Sequence, residues 1–299
     1  MDVQHLKYFV AVAIEGSFTK AAQKLYVTQP TISKMVKNIE EELGVVLFER
    51  TGKVAKLTDV GEVILAQAQN IIHSFDHLTS EINDLSDLKT GMIKIGLPPM
   101  VGASFFPQVI RDFYMKYPRI KIQLVEDGAK IVEHDIANGL LDLGVVVLPT
   151  NHDLFHVYPF ASEHLQLLIH VSNPLSQKDS VGLSKLAGES FILFQKGFTL
   201  HDRIVMECVK AGFQPNVVYE SSQWDFISGM VSANLGIALL PESICKQIMH
   251  PSIKVMNLIQ PSIPWELGII WRKNRYLSFA AKEWITFTQS FMNKEERNK

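Results

Sequence analysis

The segment Thr28 to Gly44, TQPTISKMVKNIEEELG, restricts the possible fold more than any other stretch. Thr28 can cap a helix, and Pro30 is tolerated in the first turn because the N–H it lacks would have no ladder partner there. Ile32, Met35, Val36, Ile39 and Leu43 fall on one helical face, and Gly44 supplies a stop. Pro30, Ser33, Lys34 and Lys37 occupy the opposite face. From Gln29 to Asn38 there is no acid, whereas Glu40, Glu41 and Glu42 crowd the far end. Such a helix can approach a polyanion only by its leading turns, as a helix entering a DNA major groove by its N-terminus does. The same pattern also describes an ordinary amphipathic helix with a solvated outer face.

The flanking residues decide between these. Gln4 to Ile14 reads as a helix ended by Glu15-Gly16, and Ser17 can cap a short second helix, Phe18 to Leu25. Tyr26-Val27 then turns tightly into Thr28, which makes a helix-turn-helix. Leu47 to Arg50 and Ala55 to Leu57 read as two short strands around Thr51-Gly52-Lys53. They form a wing whose Arg50, Lys53 and Lys56 can meet phosphates or a minor groove. The expected DNA-facing set is Thr28, Gln29, Pro30, Thr31, Ser33, Lys34, Lys37, Arg50 and Lys53.

Taken in register, SFTKAA (17–22), VTQPTISK (27–34), IEEELG (39–44), LFERT (47–51) and LTDVG (57–61) resemble the LysR-type transcriptional regulators of bacteria. The resemblance is specific over roughly the first sixty residues, and the later segments fit the same family. It implies a sequence-specific DNA-binding regulator controlled by a small-molecule effector, a small organic acid, and not an enzyme. The N-terminal run is also similar to regulators of holin-like operons and overflow metabolism in Gram-positive bacteria, which implies acetate-like or pyruvate-like signals. An architectural DNA-binding protein with a non-responsive sensor domain is the alternative.

At 299 residues the length suits two domains, each able to bury a core. Net charge is −2, and residues 1–58 carry eight Lys/Arg against six Asp/Glu. DNA affinity must then come from a few placed side chains and from multivalency rather than from bulk charge. No basic-then-apolar leader opens the sequence and no apolar run reaches eighteen residues, so the expected compartment is the cytoplasm, with no membrane partner. Cys208 and Cys245 form no disulfide framework and sit in apolar helical contexts, which favours inert packing. His73 and His77 have the i, i+4 spacing of a metal pair but no evident third ligand, so neither metal nor cofactor is expected. G-x-S-x-G, G-x-x-x-x-G-K-[ST] and H-E-x-x-H are all missing from the sequence, which argues against an enzyme.

From Thr58 or Asp59 a long helix is expected to run to about Leu88. Within it Ile64, Ala68, Ile71, Phe75, Leu78, Ile82 and Leu85 form a heptad seam that predicts a partner helix. In the family this helix pairs with its copy, which implies a homodimer or homotetramer carrying two heads to a double-stranded operator. RNA polymerase is a further partner if the protein is an activator. Lys89-Thr90-Gly91 then reads as a hinge.

Beyond it, short apolar strands alternate with helices, the order of a parallel α/β sheet. The overall expectation is α/β: an N-terminal winged helix-turn-helix (1–58), a long coiled-coil linker helix (59–88), a hinge (89–91) and an effector-binding domain (92–299). By the resemblance that domain is two-lobed and periplasmic-binding-protein-like, with lobe I about 92–162 and 267–299 and lobe II about 163–266. Ligands of such sheets settle beyond the carboxyl ends of strands, near helix N-termini. The candidate effector contacts are Pro99, Met100, Val101, Gly102, Ala129, Lys130, Leu148, Gln195, Phe198, Thr199 and Ser222. Family members often place Ser or Thr in the first two of these loops. Pro99, Met100 and Ala129 depart from that and point to a more apolar cleft mouth.

Overall fold

The computed structural model describes residues 1–49, 55–85 and 90–297. It divides into two compact units, with Met1–Gly91 and the short segment Ala137–Leu140 in the first and the remainder in the second. The first unit holds α1 (Val3–Glu15), α2 (Phe18–Lys24), α3 (Gln29–Leu43) and α4 (Asp59–Leu85). The side chains of Asp2, Ser17 and Thr28 accept from the backbone N–H three residues on, so each of the first three helices starts at a side-chain cap. Gly16 and Gly44 end α1 and α3 in the left-handed region. Leu6, Phe9, Ala21, Ile32, Val36, Ile39 and Leu47 fill the core, and Phe48 meets Phe9 and Phe18 edge-on at 5.6 and 5.3 Å.

Three details depart from expectation. Met35 is half-buried and Leu43 exposed, because the stripe that reaches the core is only Ile32, Val36 and Ile39. In place of two wing strands, the described residues show one antiparallel bridge, Phe48 to Leu57, with Glu49 N donating to Lys56 O at 2.8 Å. So short a ladder does not define strands. Arg50, Thr51, Gly52 and Lys53 lie outside the described residues, as do 86–89, which include Leu88 and Lys89. Third, the seam of α4 divides. Ala68 is 1% exposed within the head's own core, and Ile64 packs against that core, whereas Ile71 and Phe75 are 46% and 50% exposed. Ala68 therefore serves its own head rather than a partner helix. Nothing is described for the side chains of Leu78, Ile82 and Leu85.

The joint between wing and α4 is close. Thr58 Oγ1 donates to Val46 O at 2.7 Å and accepts from Gly61 N at 3.0 Å, and Glu40 Oε1 accepts from Leu47 N at 2.7 Å. A Cβ on Gly61 would lie 2.2 Å from Leu47 O.

The second unit runs β1 (Gly91–Leu97), α5 (Pro99–Lys116), β2 (Ile120–Glu126), α6 (Ala129–Asn138), β3 (Leu143–Val147) and β4 (Phe155–His170). It continues with β5 (Ser180–Gly182), β6 (Ser190–Phe194), α7 (Thr199–Lys210), β7 (Asn216–Ser221), α8 (Trp224–Ser232) and β8 (Ala238–Pro241). It closes with α9 (Glu242–Cys245), β9 (Ile253–Ile259), β10 (Pro264–Arg272) and α10 (Phe279–Arg297). The main sheet has the order β2-β1-β3-β10-β4-β9-β5, with β8 also on β4, and β6 pairs with β7. β1 and β3 are parallel, but β10 is antiparallel to both β3 and β4, so the sheet is mixed. Residues 155–164 of β4 pair with β10, and residues 165–170 pair with β8 and β9. One strand thus passes from the first lobe into the second. α5 begins at Pro99, because proline suits a first helical turn.

Substituting Gly61→Ala is expected to lower the head's unfolding free energy by about 2–4 kcal/mol, since backbone on both sides must shift. Urea denaturation followed by far-ultraviolet circular dichroism measures it; a loss below about 0.5 kcal/mol would show that the wing base yields freely.

Candidate functional site

Within α3 and its cap the structure exposes Thr28, Gln29, Pro30, Lys34 and Lys37, with Thr31 and Ser33 half-buried between them. The hydroxyls of Thr28 and Thr31 lie 2.8 Å apart, and Gln29 Nε2 donates to Ser33 Oγ at 2.8 Å. These contacts order the polar leading turns before any partner arrives. Lys34 pairs with no carboxylate among the described residues, while Lys37 meets Glu41 at 3.1 Å, an exposed i, i+4 pair of small worth. Lys34 is therefore the better-placed cation of the two. The first turn of α3 holds no acid, so the partial positive charge of its free N–H groups is undiminished. Tyr26, missed in the sequence reading, is 96% exposed at φ 55° in the turn between α2 and α3. This exposed aromatic lies in a left-handed turn immediately before the leading end of α3. Arg50 and Lys53 of the wing lie outside the described residues.

In the second unit the candidate loops meet one another through a chain of contacts. The Cβ position of Gly128 is 3.8 Å from Gly197 O, and Lys130 Nζ bonds Asp202 Oδ2 at 2.6 Å. Arg203 donates to Leu148 O and to Pro264 O, each at 2.8 Å, and lies 5.5 Å over the Trp265 ring. Gln195 N donates to Ser221 O at 3.1 Å beside Ser222, and Phe198 packs on Phe194. Lys130, Gln195 and Ser222 are exposed and Leu148, Phe198 and Thr199 half-buried. Pro99 and Gly102 sit half-buried at the start of α5, but Met100, Val101 and Ala129 are buried and pack inward, so their side chains line the fold beneath the loops instead of the mouth.

The start of α7 brings in His201, Asp202 and Arg203, none of them among the expected effector contacts. Asp202's carboxyl is held below its ordinary range, chiefly by the bond from Lys130. Arg203 is half-buried, and burial lowers its pKa from the usual guanidinium value. His201 is buried, its Nδ1 3.2 Å from Asp202 and its Nε2 3.7 Å from Glu220. Polar residues in a first helical turn read in sequence as solvent-facing, and only the packing of α7 against the Leu148 and Pro264 crossovers reveals their work.

Two family models account for nearly the whole chain. The bacterial regulatory helix-turn-helix protein, lysR family, matches residues 3–62, and the LysR substrate binding domain matches residues 86–293. The chain belongs to the LysR-type transcriptional regulators. It is 54% identical to an uncharacterized HTH-type transcriptional regulator, YwbI of Bacillus subtilis (strain 168), over 98% of this chain and 97% of that protein. It is 33% identical to the transcriptional dual regulator GltC of the same organism, covering 99% of each. Among solved structures it is similar to a full-length OxyR variant from Pseudomonas aeruginosa, with TM-score 0.71, 28% identity and coverage of 98% of this chain and 94% of that one. CbnR complexed with its target DNA shares the fold at TM-score 0.69 and 22% identity, covering 97% of this chain and 99% of that one. LysR-type regulators act by binding DNA and not by catalysis. Among the described residues no group of three or more His, Cys, Asp or Glu could hold a metal, and no helix is long and apolar enough to cross a membrane.

Cys208 and Cys245 are both free and buried, and burial pushes each thiol up to about 12. Other similar proteins carry the name hydrogen peroxide-inducible genes activator, but these two thiols are protonated and screened, the opposite of a reactive thiolate. Native protein is expected to leave both unmodified by Ellman's reagent at neutral pH and to release both in denaturant. Rapid labelling of either in the native state would show that burial does not protect them.

Proposed function

We propose that this LysR-type regulator acts in the cytoplasm as a homodimer or homotetramer that reads a two-fold operator through paired α3 helices. The observation that carries this is the polarity of α3: an exposed, acid-free leading half whose Lys34 has no carboxylate partner among the described residues, and a trailing half of consecutive glutamates. Residues 1–58 serve as the head, 59–88 as the dimerising linker, 89–91 as the hinge and 92–299 as the sensor. Exposed Ile71 and Phe75 support pairing along the outer part of α4. RNA polymerase joins the partners where the operator position makes the protein an activator. Lys34→Ala is expected to weaken binding to the chain's own promoter DNA and to reduce the salt slope by about one unit without altering oligomeric state. A salt-titrated gel shift reads both quantities, and an unchanged slope would remove Lys34 from the phosphate contacts.

The effector we infer is a small organic acid held between the lobes. Its support is the convergence of the 128–130, 148 and 195–203 segments, where the α6 and α7 N-termini and the Lys130 ammonium all favour an anion. Acetate-like or pyruvate-like acids are the first to test. In that arrangement the carboxylate competes with Asp202 for Lys130, so the interlobe ion pair exchanges for a ligand contact. Binding moves the assembly only by its differential affinity for the two lobe arrangements. Isothermal titration against a panel of small acids is expected to show a binder whose affinity falls about tenfold or more in Lys130→Met. A panel without any binder, together with an unchanged footprint, would favour the architectural reading.

A further inference from the structure

A cavity of about 580 Å³, the size of a small-molecule site, lies between β4, α5 and α9, and none of the interlobe loop residues lines it. Phe105 and Phe160, in edge contact at 5.5 Å, together with Met292 give it an apolar wall. Glu163 is half-buried at its polar side, accepting from Ser243 N at 2.6 Å and from Ser243 Oγ at 2.9 Å. No Lys, Arg or His pairs with Glu163 among the described residues, and Lys246 at the rim is already engaged by Glu242 at 2.7 Å. The described lining therefore holds two carboxylates, Glu163 and Glu242, against one ammonium, Lys246. Burial raises the Glu163 pKa and Glu242 adds to the rise, outweighing the opposing effect of the Ser243 bonds and of Lys246.

We propose that this cavity is a second small-molecule site, taking an amine with an aromatic or ring-sized apolar body, its ammonium on Glu163 and its body against Phe105 and Phe160. The cavity also sits where the two lobes join. Glu163 is paired with Trp265 of β10, and two residues later β4 pairs with β8. Gln247, just past α9, donates to Ser104 Oγ of α5 at 2.9 Å. Beneath it a narrow recess lined by Glu163 and Ser243 reaches Met100 and Val101 in the first turn of α5. An occupant touches elements of both lobes and biases their arrangement.

Isothermal titration of the full-length protein, free of DNA, with 2-phenylethylamine tests this, with 2-phenylacetate as the same body bearing the opposite charge. The amine is expected to bind once per chain, more tightly as pH rises through the ionisation of Glu163, and the acid not to bind at this site. Glu163→Gln, which keeps an acceptor for Ser243, should weaken the amine about tenfold at unchanged melting temperature. Ser104→Phe, which fills the cavity from α5, should abolish binding independently. An absence of heat at millimolar amine, equal affinity in both variants, or preference for the acid would overturn the proposal. Because no operator enters the measurement, its failure leaves the DNA-binding reading untouched.

Discussion

The sensor unit depends on β4, one strand that belongs to both lobes. Its first ten residues are held by β10 and its last six by β8 and β9, so the lobes cannot separate without breaking a continuous ladder. Two further contacts bridge the lobes, and their magnitudes differ in a useful way. Arg203 places two charge-assisted bonds on carbonyls at the crossovers, Leu148 and Pro264, from a half-buried position, each of the kind worth about 1.5–3 kcal/mol. The Lys130–Asp202 pair is exposed and of a class worth at most about 1 kcal/mol. The first holds the crossover segments firmly; the second is the weaker contact, the one that the proposed carboxylate ligand would displace. A sensor needs both, since a ligand's binding energy is useful only if the arrangement it opposes is shallow.

The head has its own constraint at Leu47. The carbonyl of that residue receives Thr58, sits where a Cβ on Gly61 would have to lie, and its N–H is held by Glu40 from the trailing end of α3. One glutamate of the acidic cluster therefore serves two purposes. It keeps negative charge away from the leading turns, and it ties the wing base to α3. The wing base and α3 consequently move as one body, and α4 leaves that body in a fixed direction.

Much of this was legible in the sequence because it rests on local rules. Caps at Ser17 and Thr28, the glycine stops and the acid-free leading half of α3 all follow from residues within one or two turns of each other. The first half of β4 was not legible: His156, Pro159, Ser162 and Glu163 interrupt the apolar alternation, and the strand is held there by β10, far along the chain. Arg203 and Asp202 were missed for the same reason, since what they touch comes from distant crossovers. That the side chains of Met100, Val101 and Ala129 are buried was not legible either, because a helix start reveals its N–H groups and not the direction of its first side chains. Among the described residues the expected wing strands show a single bridge, a length at which pattern alone cannot separate strand from turn.

The heptad seam shows how two correct rules can compete for one residue. A spacing of four and three is what a coiled coil needs, and it is also what a helix needs to lie on its own domain. Ile64 and Ala68 satisfy the second, closing the head's core beside Leu6 and Phe9. One turn later nothing described in the head covers the stripe, and Ile71 and Phe75 stand half-exposed. Full burial of such side chains is worth about 1.5–3 kcal/mol each. The same periodicity thus changes its task along a single helix. Its first turns pack the helix onto the head that carries α3, and the proposed pairing with a copy falls to the exposed continuation alone.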